Sequence, residues 1–446
     1  MTAAAVLPRS THILWGIGSL GTNSILYVHS LLLLFFLVSI LDIAPVLAGA
    51  LIAGAKLFDA FADPFIGWMS DNTRGSWGRR APYMGIATLL LAISAPLLFA
   101  APELSGDARL WWAVAALLLF SLGYGLFNVP YLAMPAELTP LPHERTVMMS
   151  WRIGFVGVAG IVSTAGAPLL IERLGGGRDA YAAMGWIVGA IVLVTLAIAT
   201  TTALRHRDRE RPPTERLPLG TQFAAALRAR PFMLLCGGKF FQLLGLASVS
   251  ATLPFFVTQI MERPTGALAI FGLTTNIVQL GSMAVWVSLA RTRTKRGLCL
   301  VAIGIYAVVL ATWALSGPQE PTWVFVLRSA AMGFGAGGLL LMGQSMLPDA
   351  IAYERTRTGQ ASEASFSGIY AFVEKTASAL GSLIIGGLLS AFGYVTGLPK
   401  GVAQPDSALT AIMIGATIVP VLCAAASAAM IWSYGIDERQ GTAATT

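Results

Sequence analysis

The sequence is poor in charged residues, histidine and cysteine. Of its 446 residues, 11% are charged and 56% are hydrophobic, whereas about a quarter of the residues in a soluble domain are charged. The four histidines and three cysteines show no spacing typical of a metal site or a disulfide framework. No basic patch is interleaved with aromatic residues, so the net charge of +7 does not indicate a nucleic-acid partner. The composition therefore indicates a polytopic membrane protein.

Long apolar runs are what the sequence has in abundance. Runs of about 20 residues are long enough to cross a bilayer as helices. We predict an all-α polytopic membrane protein with twelve transmembrane helices in two six-helix halves. The predicted spans are 12–38, 44–70, 82–101, 110–136, 147–171, 181–203, 231–258, 266–290, 298–316, 322–347, 364–392 and 407–434.

Basic residues outside the spans predict the topology. They concentrate in alternate loops, which by the positive-inside rule places both termini in the cytoplasm. The segment 205–230 is basic and Pro-rich and could include a short surface helix; it separates an N-terminal bundle, 1–204, from a C-terminal bundle, 231–446. Two repeated halves around a midplane site are typical of alternating-access transporters. Short loops and the absence of an Asn-x-Ser/Thr sequon favour a bacterial cytoplasmic membrane.

Three charged residues lie inside the second predicted span. Lys56, Asp59 and Asp63 are spaced by three and four residues, which places them on one helical face. An ionisable group at bilayer depth costs several kcal/mol or so unless it is paired or hydrated, so it marks an ion or substrate pathway by default. The alternative is a purely structural salt-bridge cluster between spans.

The short loop after this span predicts a gate. Asp71 ends the span, and arginines that follow can pair with it or with acidic residues near spans 4 and 5; breaking these pairs would open the cytoplasmic side. Asp349 and Glu354 are the candidates for a corresponding latch in the second half. The alternative is that the arginines only set topology. The predicted gate residues of the first half are Asp71, Arg74, Arg79, Arg80, Glu137 and Glu144.

These residues carry a resemblance to a known family. The stretch DAFADP, from Asp59 to Pro64, is followed by Gly67, Asp71, Asn72, Arg74, Trp77, Gly78, Arg79 and Pro82. Further matches are NVPY from Asn128, Arg152, LPDAIAY from Leu347, and GIYAFVEK from Gly368. The sequence resembles, end to end, the glycoside–pentoside–hexuronide:cation symporters, the melibiose permease-like branch of the major facilitator superfamily. Animal lysolipid transporters share the first motif.

The resemblance implies roles for particular residues. The family's cation-site carboxylates match Asp59 and Asp63, and the cation beside them matches Lys56. The family's two sugar-binding carboxylates fall at Asn23 and Asn128, which are amides here. An amide still bonds to hydroxyl groups but lacks the charge-assisted bond of a carboxylate. This departure disfavours galactoside-type recognition and leaves a different glycoside or a non-sugar substrate.

The coupling ion follows from the side chains beside the carboxylates. Sodium needs several oxygen ligands. Sodium-using relatives often carry Asn or Thr where Ala62 stands and a hydroxyl residue where Gly125 stands. A proton needs only one carboxylate in a suitable environment. We therefore favour protons over sodium and expect no other cofactor.

Other intramembrane polar and aromatic residues are candidates for the substrate site. Lys375 is predicted to reach the carboxylate pair from the other half, or else to lock helices together. Arg152 either supports the cavity or binds a substrate carboxylate, and the two asparagines could instead be interhelical links. The aromatic candidates for the cavity wall are Tyr27, Tyr124, Tyr131, Tyr370 and Phe372, although plain packing would explain each of them; Lys239, Gln242 and Gln344 are placed near the cavity and Arg328 in a structural role.

The combined prediction is a monomeric secondary transporter in a lipid bilayer. A cation neutralises the carboxylate pair, a small polar solute binds, and a rocker-switch motion carries both across. The expected solute is a glycoside, pentoside or uronide. The alternatives are a lysolipid or other amphiphile, and, from different classes, an intramembrane enzyme or a transporter-like sensor.

Overall fold

The apolar runs of the sequence form helices almost throughout. The structure is a computed structural model, and it describes residues 7–73, 75–139, 141–206, 227–358, 363–398 and 402–435. Within these residues, twelve helices are long and apolar enough to cross a membrane, which confirms the predicted number of spans.

The first six of these helices precede the predicted linker. They are α1 (Arg9–Ile40), α2 (Pro45–Asn72), α3 (Ala81–Phe99), α4 (Asp107–Leu138), α5 (His143–Arg173) and α6 (Arg178–Arg205).

The second six follow the linker. They are α7 (Arg230–Ile260), α8 (Ala267–Ala290), α9 (Lys295–Leu315), α10 (Thr322–Thr358), α11 (Glu363–Ala391) and α12 (Asp406–Trp432). Of the predicted linker 205–230, residues 207–226 lie outside the described residues.

Two compact units account for the contacts between helices. The first comprises Met1–Thr214 with Pro264–Ala269, and the second comprises Glu215–Arg263 with Ile270–Thr446. In the first unit α3 packs against α4 and α6, and α2 packs against α4. In the second unit α7 packs against α11 and α12, and α9 packs against α10.

Small residues let these helices approach closely. A Cβ atom on Gly189 of α6 would lie 2.5 Å from the carbonyl oxygen of Ala92 in α3. A Cβ on Gly333 of α10 would lie 2.4 Å from the carbonyl oxygen of Thr275 in α8. Since lipid supplies no hydrophobic force between helices, close packing of this kind is what holds a bundle together.

The ends of α1 and α7 repeat one backbone design. Each helix finishes in a π-helical turn, Phe36–Ile40 in α1 and Phe256–Ile260 in α7. In each case an acidic residue with positive φ follows, Asp42 at 51° and Glu262 at 50°. The internal repeat, which is weak in the amino-acid sequence, is therefore evident in the backbone.

Candidate functional site

The charged residues of α2 lie in the interior of a spanning helix. Asp59 is 7% exposed, and Lys56 and Asp63 are half-buried. The Ser121 hydroxyl of α4 donates a hydrogen bond of 3.1 Å to the carbonyl oxygen of Ala55 and ties α4 to this part of α2. The structure thus places all three predicted residues at membrane depth within the first unit.

A glycine on α4 makes room for one of the carboxylates. A Cβ atom at Gly125 would lie 2.9 Å from Asp63 Oδ1 and 2.9 Å from Ile66 Cδ1. Real Cβ atoms essentially never approach so closely, so any other residue here would displace the carboxylate. Gly125, the position where sodium-using relatives often carry a hydroxyl residue, therefore lies directly beside Asp63.

Three further predicted residues gather around the carboxylates. The Tyr124 phenol lies within electrostatic reach of Asp59, Asp63, Arg152 and Tyr27. Arg152 of α5 also acts on Tyr27 of α1. Residues from α1, α2, α4 and α5 thus form one polar cluster in the first unit. In low-dielectric surroundings these charges interact more strongly than they would in water.

Sequence reasoning missed one neighbour of this cluster. His29 of α1 is 7% exposed and lies within electrostatic reach of Lys56. Its ring packs edge-on against Phe120 at a centroid distance of 4.2 Å, and neither ring nitrogen has a hydrogen-bond partner among the described residues. A single histidine in a span gives no sequence signal for this contact, because its neighbours come from other helices.

The side-chain amides of Asn23 and Asn128 differ in the number of hydrogen bonds that they make within the protein. The Asn23 Nδ2 donates to the carbonyl oxygen of Ser19 at 2.9 Å and to Thr22 Oγ1 at 3.4 Å. Asn128 of α4 is half-buried, and its side chain makes no hydrogen bond to another described residue. Asn128 therefore keeps its full bonding capacity, whereas Asn23 keeps mainly its carbonyl oxygen.

Tyr131 is a packing residue in this structure. It is fully buried, its ring stacks on Trp15 at 4.7 Å, and its hydroxyl group pairs with Ser19 Oγ at 2.9 Å. The geometry does not support the predicted substrate contact, because both the ring and the hydroxyl already serve the contact between α1 and α4.

The predicted pairing in the loop after α2 is confirmed. Arg80 lies 2.6 Å from Asp71 Oδ1 and 2.6 Å from Glu137 Oε1, and it donates to Ser70 Oγ at 2.6 Å. Arg79 reaches the same oxygen of Glu137 at 2.5 Å. We call these five residues the arginine cluster. Arg74 lies outside the described residues, and the gating role stays a prediction.

The charge state of this cluster follows from its contacts. Burial by itself lowers the pKa of Arg80, but the hydrogen bond and charge of Glu137, together with Asp71, raise it overall. The guanidinium therefore stays charged, and its planar fork can serve two carboxylates at once.

Glu144 has a different partner from the one expected. Its Oε2 lies 2.8 Å from His12 Nε2 of α1, and both side chains are buried. Glu144 and the loop arginines share a predicted side of the membrane, which predicts that they pair; the packing of α1 against α5 brings His12 to Glu144 instead.

The second unit has its own ion pairs. Lys295 at the start of α9 lies 2.5 Å from Asp349 Oδ2 of α10, and Glu354 pairs with Arg357 one turn along at 2.6 Å. Arg328 pairs with Glu320, which fits its predicted structural role. Lys375 is half-buried in α11, and its action on the carboxylates stays a prediction.

Fold and site together define a class of protein. Twelve spanning helices in two units, with carboxylates and cations at membrane depth, are the features of a secondary transporter. Within the described residues, no three His, Cys, Asp or Glu side chains come together as a metal site. The chain belongs to the MFS/sugar transport protein family, whose family model matches residues 14–438.

Several curated relatives are similar over nearly the whole chain. An isoprimeverose transporter of Lactiplantibacillus pentosus is 27% identical, over 97% of this chain and 90% of the relative. A putative glycoside/cation symporter of Escherichia coli (strain K12) is 25% identical, over 95% and 91%. A putative sulfoquinovose importer of the same organism is 24% identical, over 96% and 91%. These comparisons do not favour the lysolipid, enzyme or sensor alternatives.

Solved structures confirm the fold. The nucleoside transporter NupG superposes with a TM-score of 0.67 at 16% identity, covering 96% of this chain and 100% of that one. A bacterial homologue of the human drug peptide transporters gives a TM-score of 0.68 at 14% identity, covering 98% and 99%. At these identities the likeness concerns the fold, which is the twelve-helix fold of the major facilitator superfamily.

Proposed function

We propose that the protein is a cation-coupled symporter that carries a sugar-type solute across a membrane by alternating access. The observation that carries the proposal is the polar cluster of the first unit. Two carboxylates one helical turn apart, Asp59 at 7% exposure and Asp63 against Gly125, lie at membrane depth with Arg152 and Lys56 nearby. An uncompensated carboxylate is costly to occlude in lipid, so binding of a cation is linked to movement of the carrier.

We propose the proton as the coupling ion. Gly125, whose Cβ position lies against Asp63 Oδ1, and Ala62, which precedes Asp63 in the chain, offer none of the side-chain oxygens that sodium requires. Protonation of one carboxylate removes its charge and needs no further ligand.

The solute we propose is a neutral glycoside or pentoside. Asn128 offers an amide with its donors and acceptor available, and Asn23 offers a carbonyl oxygen; both suit hydroxyl groups, which donate and accept. The relatives named for isoprimeverose and for glycosides support a sugar, and the one named for sulfoquinovose shows that anionic sugars belong in the test. Arg152 is the residue that would favour an anionic solute.

The proposal also covers the membrane, the oligomeric state and the orientation of the protein. We propose that the protein is a monomer in a bacterial cytoplasmic membrane. The distribution of basic residues supports a cytoplasmic position for both termini. The arginine cluster then lies on the cytoplasmic side. We propose that it closes that side when its ion pairs are intact.

Uptake into proteoliposomes tests the proposal. The purified protein would be supplied with radiolabelled neutral glycosides, pentosides, glucuronate and sulfoquinovose under an imposed pH gradient, and separately under a sodium gradient. We expect concentrative uptake of a neutral sugar that collapses when the pH gradient is dissipated. Uptake driven by sodium alone would contradict the proton assignment, and no sugar uptake under either gradient would contradict the function.

The carboxylates are tested in the same assay. Asp59→Asn and Asp63→Asn should each abolish concentrative uptake while sugar exchange across the membrane persists, because exchange needs no net proton movement. Asp42→Asn is the matched control, since its carboxylate is 45% exposed and asparagine tolerates its positive φ. Concentrative uptake at the wild-type rate in both α2 variants would refute the coupling role.

A further inference from the structure

A second polar cluster lies within the second unit. It comprises Lys239 of α7 with Tyr370 and Glu374 of α11. Lys239 is 6% exposed and Tyr370 is 4% exposed, while Glu374 is half-buried. A buried ammonium and a buried phenol in a spanning bundle both need compensation, because unpaired polar groups in low-dielectric surroundings are costly.

The polar ends of Lys239 and Tyr370 converge beside a glycine of α10. A Cβ atom at Gly343 would lie 3.4 Å from Lys239 Nζ and 3.9 Å from the Tyr370 hydroxyl oxygen. Both polar ends therefore face the same small space. α7 packs against α11, which brings Lys239 within electrostatic reach of Glu374 although the two are far apart in the sequence.

The bonding capacity of this cluster is not used up within the protein. Lys239 and Glu374 attract each other, yet among the described residues neither makes a direct ion pair. The Tyr370 hydroxyl has no hydrogen-bond partner among those residues. The cluster thus presents two donors, an ammonium and a phenol, beside one point of α10. The Glu374 carboxylate, an acceptor, lies one helical turn from Tyr370 on the same face of α11 and within electrostatic reach of both donors.

We propose that Lys239, Tyr370 and Glu374 form a subsite that binds one hydroxyl group of a neutral sugar. A hydroxyl has one hydrogen to donate and two lone pairs to accept with. The oxygen of the sugar hydroxyl accepts hydrogen bonds from the Lys239 ammonium and the Tyr370 phenol. The same hydroxyl group donates a hydrogen bond to the Glu374 carboxylate. This inference rests on the proposed function and adds the charge class of the solute.

Charge balance argues against an anionic group at this position. The ammonium and the carboxylate already cancel, and the two cysteines near them, Cys236 and Cys299, are neutral as thiols. A carboxylate or sulfonate accepts hydrogen bonds only, so it would face Glu374 with no proton between them. Like charges at close range in low dielectric are disfavoured.

A double-substitution experiment isolates the subsite. Binding of isoprimeverose and of each of its monodeoxy analogues to the full-length protein in nanodiscs would be measured by calorimetry. In the wild type, removal of one particular hydroxyl should weaken binding about tenfold, as expected for a hydrogen bond to charged groups. In Tyr370→Phe and in Glu374→Gln, sugar binding should weaken about fivefold or more, and the loss on removing that same hydroxyl should fall to about twofold or less.

A matched control excludes a general effect of losing a buried phenol. Tyr306 of α9 is also buried, and its hydroxyl also lacks a hydrogen-bond partner among the described residues. Tyr306→Phe should leave affinity and the monodeoxy profile unchanged. Thermal melting of each variant would check that the fold is retained.

The outcomes separate this inference from the proposed function. If the wild type binds the sugar and Tyr370→Phe and Glu374→Gln keep the full wild-type monodeoxy profile, the cluster holds an ordered water only and the subsite is refuted. If the wild type binds no neutral glycoside but binds glucuronate or sulfoquinovose, transport stands and the assignment of charge class is refuted. If the wild type binds no sugar of any kind, the proposed function itself fails.

Discussion

Each unit fixes a loop or helix end with an ion pair, but the first unit uses an arginine and the second uses a lysine. In the first unit, the loop after α2 is held by Arg80, whose side chain is 6% exposed and contacts two carboxylates and a hydroxyl. In the second unit, the beginning of α9 is held by Lys295, whose side chain is 31% exposed and contacts Asp349. A planar guanidinium shared among buried partners makes a rigid junction, whereas an exposed ammonium makes a weak one.

The two units also differ in how charged side chains are arranged within their spanning helices. The first unit gathers two carboxylates on α2 with cations around them, whereas the second places Lys239 on α7 and a single carboxylate, Glu374, beside Lys375 on α11. Since each unit carries the same backbone design at the ends of α1 and α7, the repeat has kept its scaffold and changed its chemistry. We infer that coupling belongs to the first unit and that the second contributes to solute recognition.

The largest effect on stability should come from breaking the arginine cluster. Arg80→Ala removes the partner that the half-buried Glu137 and Asp71 share and leaves Arg79 as the remaining arginine partner of Glu137. It should cost about 3 kcal/mol, because removing one member of a largely buried ion-pair network is strongly destabilising. Thermal melting of the purified protein would measure the loss. Arg80→Lys should recover only part of it, since an ammonium cannot serve both carboxylates in the same geometry. Full stability in Arg80→Ala would show that the cluster does not hold the first unit together.

A smaller effect, on transport, is expected when the Asp63 carboxylate of α2 is displaced. Gly125→Ala places a methyl group 2.9 Å from Asp63 Oδ1, and it should reduce concentrative uptake about tenfold because misplacement of a reacting group is costly. Gly154→Ala is the control, since a Cβ there meets nothing within 4 Å. Equal uptake by the two alanine variants would mean that the position of Asp63 does not matter to coupling.

The smallest effect should come from the lysine of the second unit. Lys295→Ala removes a half-exposed ion pair and should cost about 1 kcal/mol or less. The same thermal melting experiment would compare it with Arg80→Ala. A loss as large as that of the arginine variant would remove the contrast between the two units.

Sequence periodicity and hydropathy were sufficient for the fold and for part of the site. Asp59 and Asp63 were predicted because their spacing and their place in an apolar run are local facts. The pairing of Arg80 with Asp71 was equally predictable, since eight residues of loop and helix end separate them.

What could not be predicted depends on contacts between distant helices. His12 and Glu144 pair across α1 and α5, and Lys239 of α7 and Tyr370 of α11 both reach the same glycine of α10. Tyr131 lies within a matching sequence motif, yet the packing of α1 against α4 buries its ring completely. Helix periodicity predicts which residues share a face, but not which other helix covers that face.

The measurement that tests the central claim most directly is proton movement during sugar binding and uptake. A pH-sensitive dye inside proteoliposomes would report proton entry when a transported neutral sugar is added outside without any imposed gradient. We predict proton entry in step with sugar entry in the wild type, and sugar equilibration without proton entry in Asp59→Asn/Asp63→Asn. Sugar-driven proton entry of wild-type size in that double variant would contradict the assignment of these carboxylates as the coupling groups.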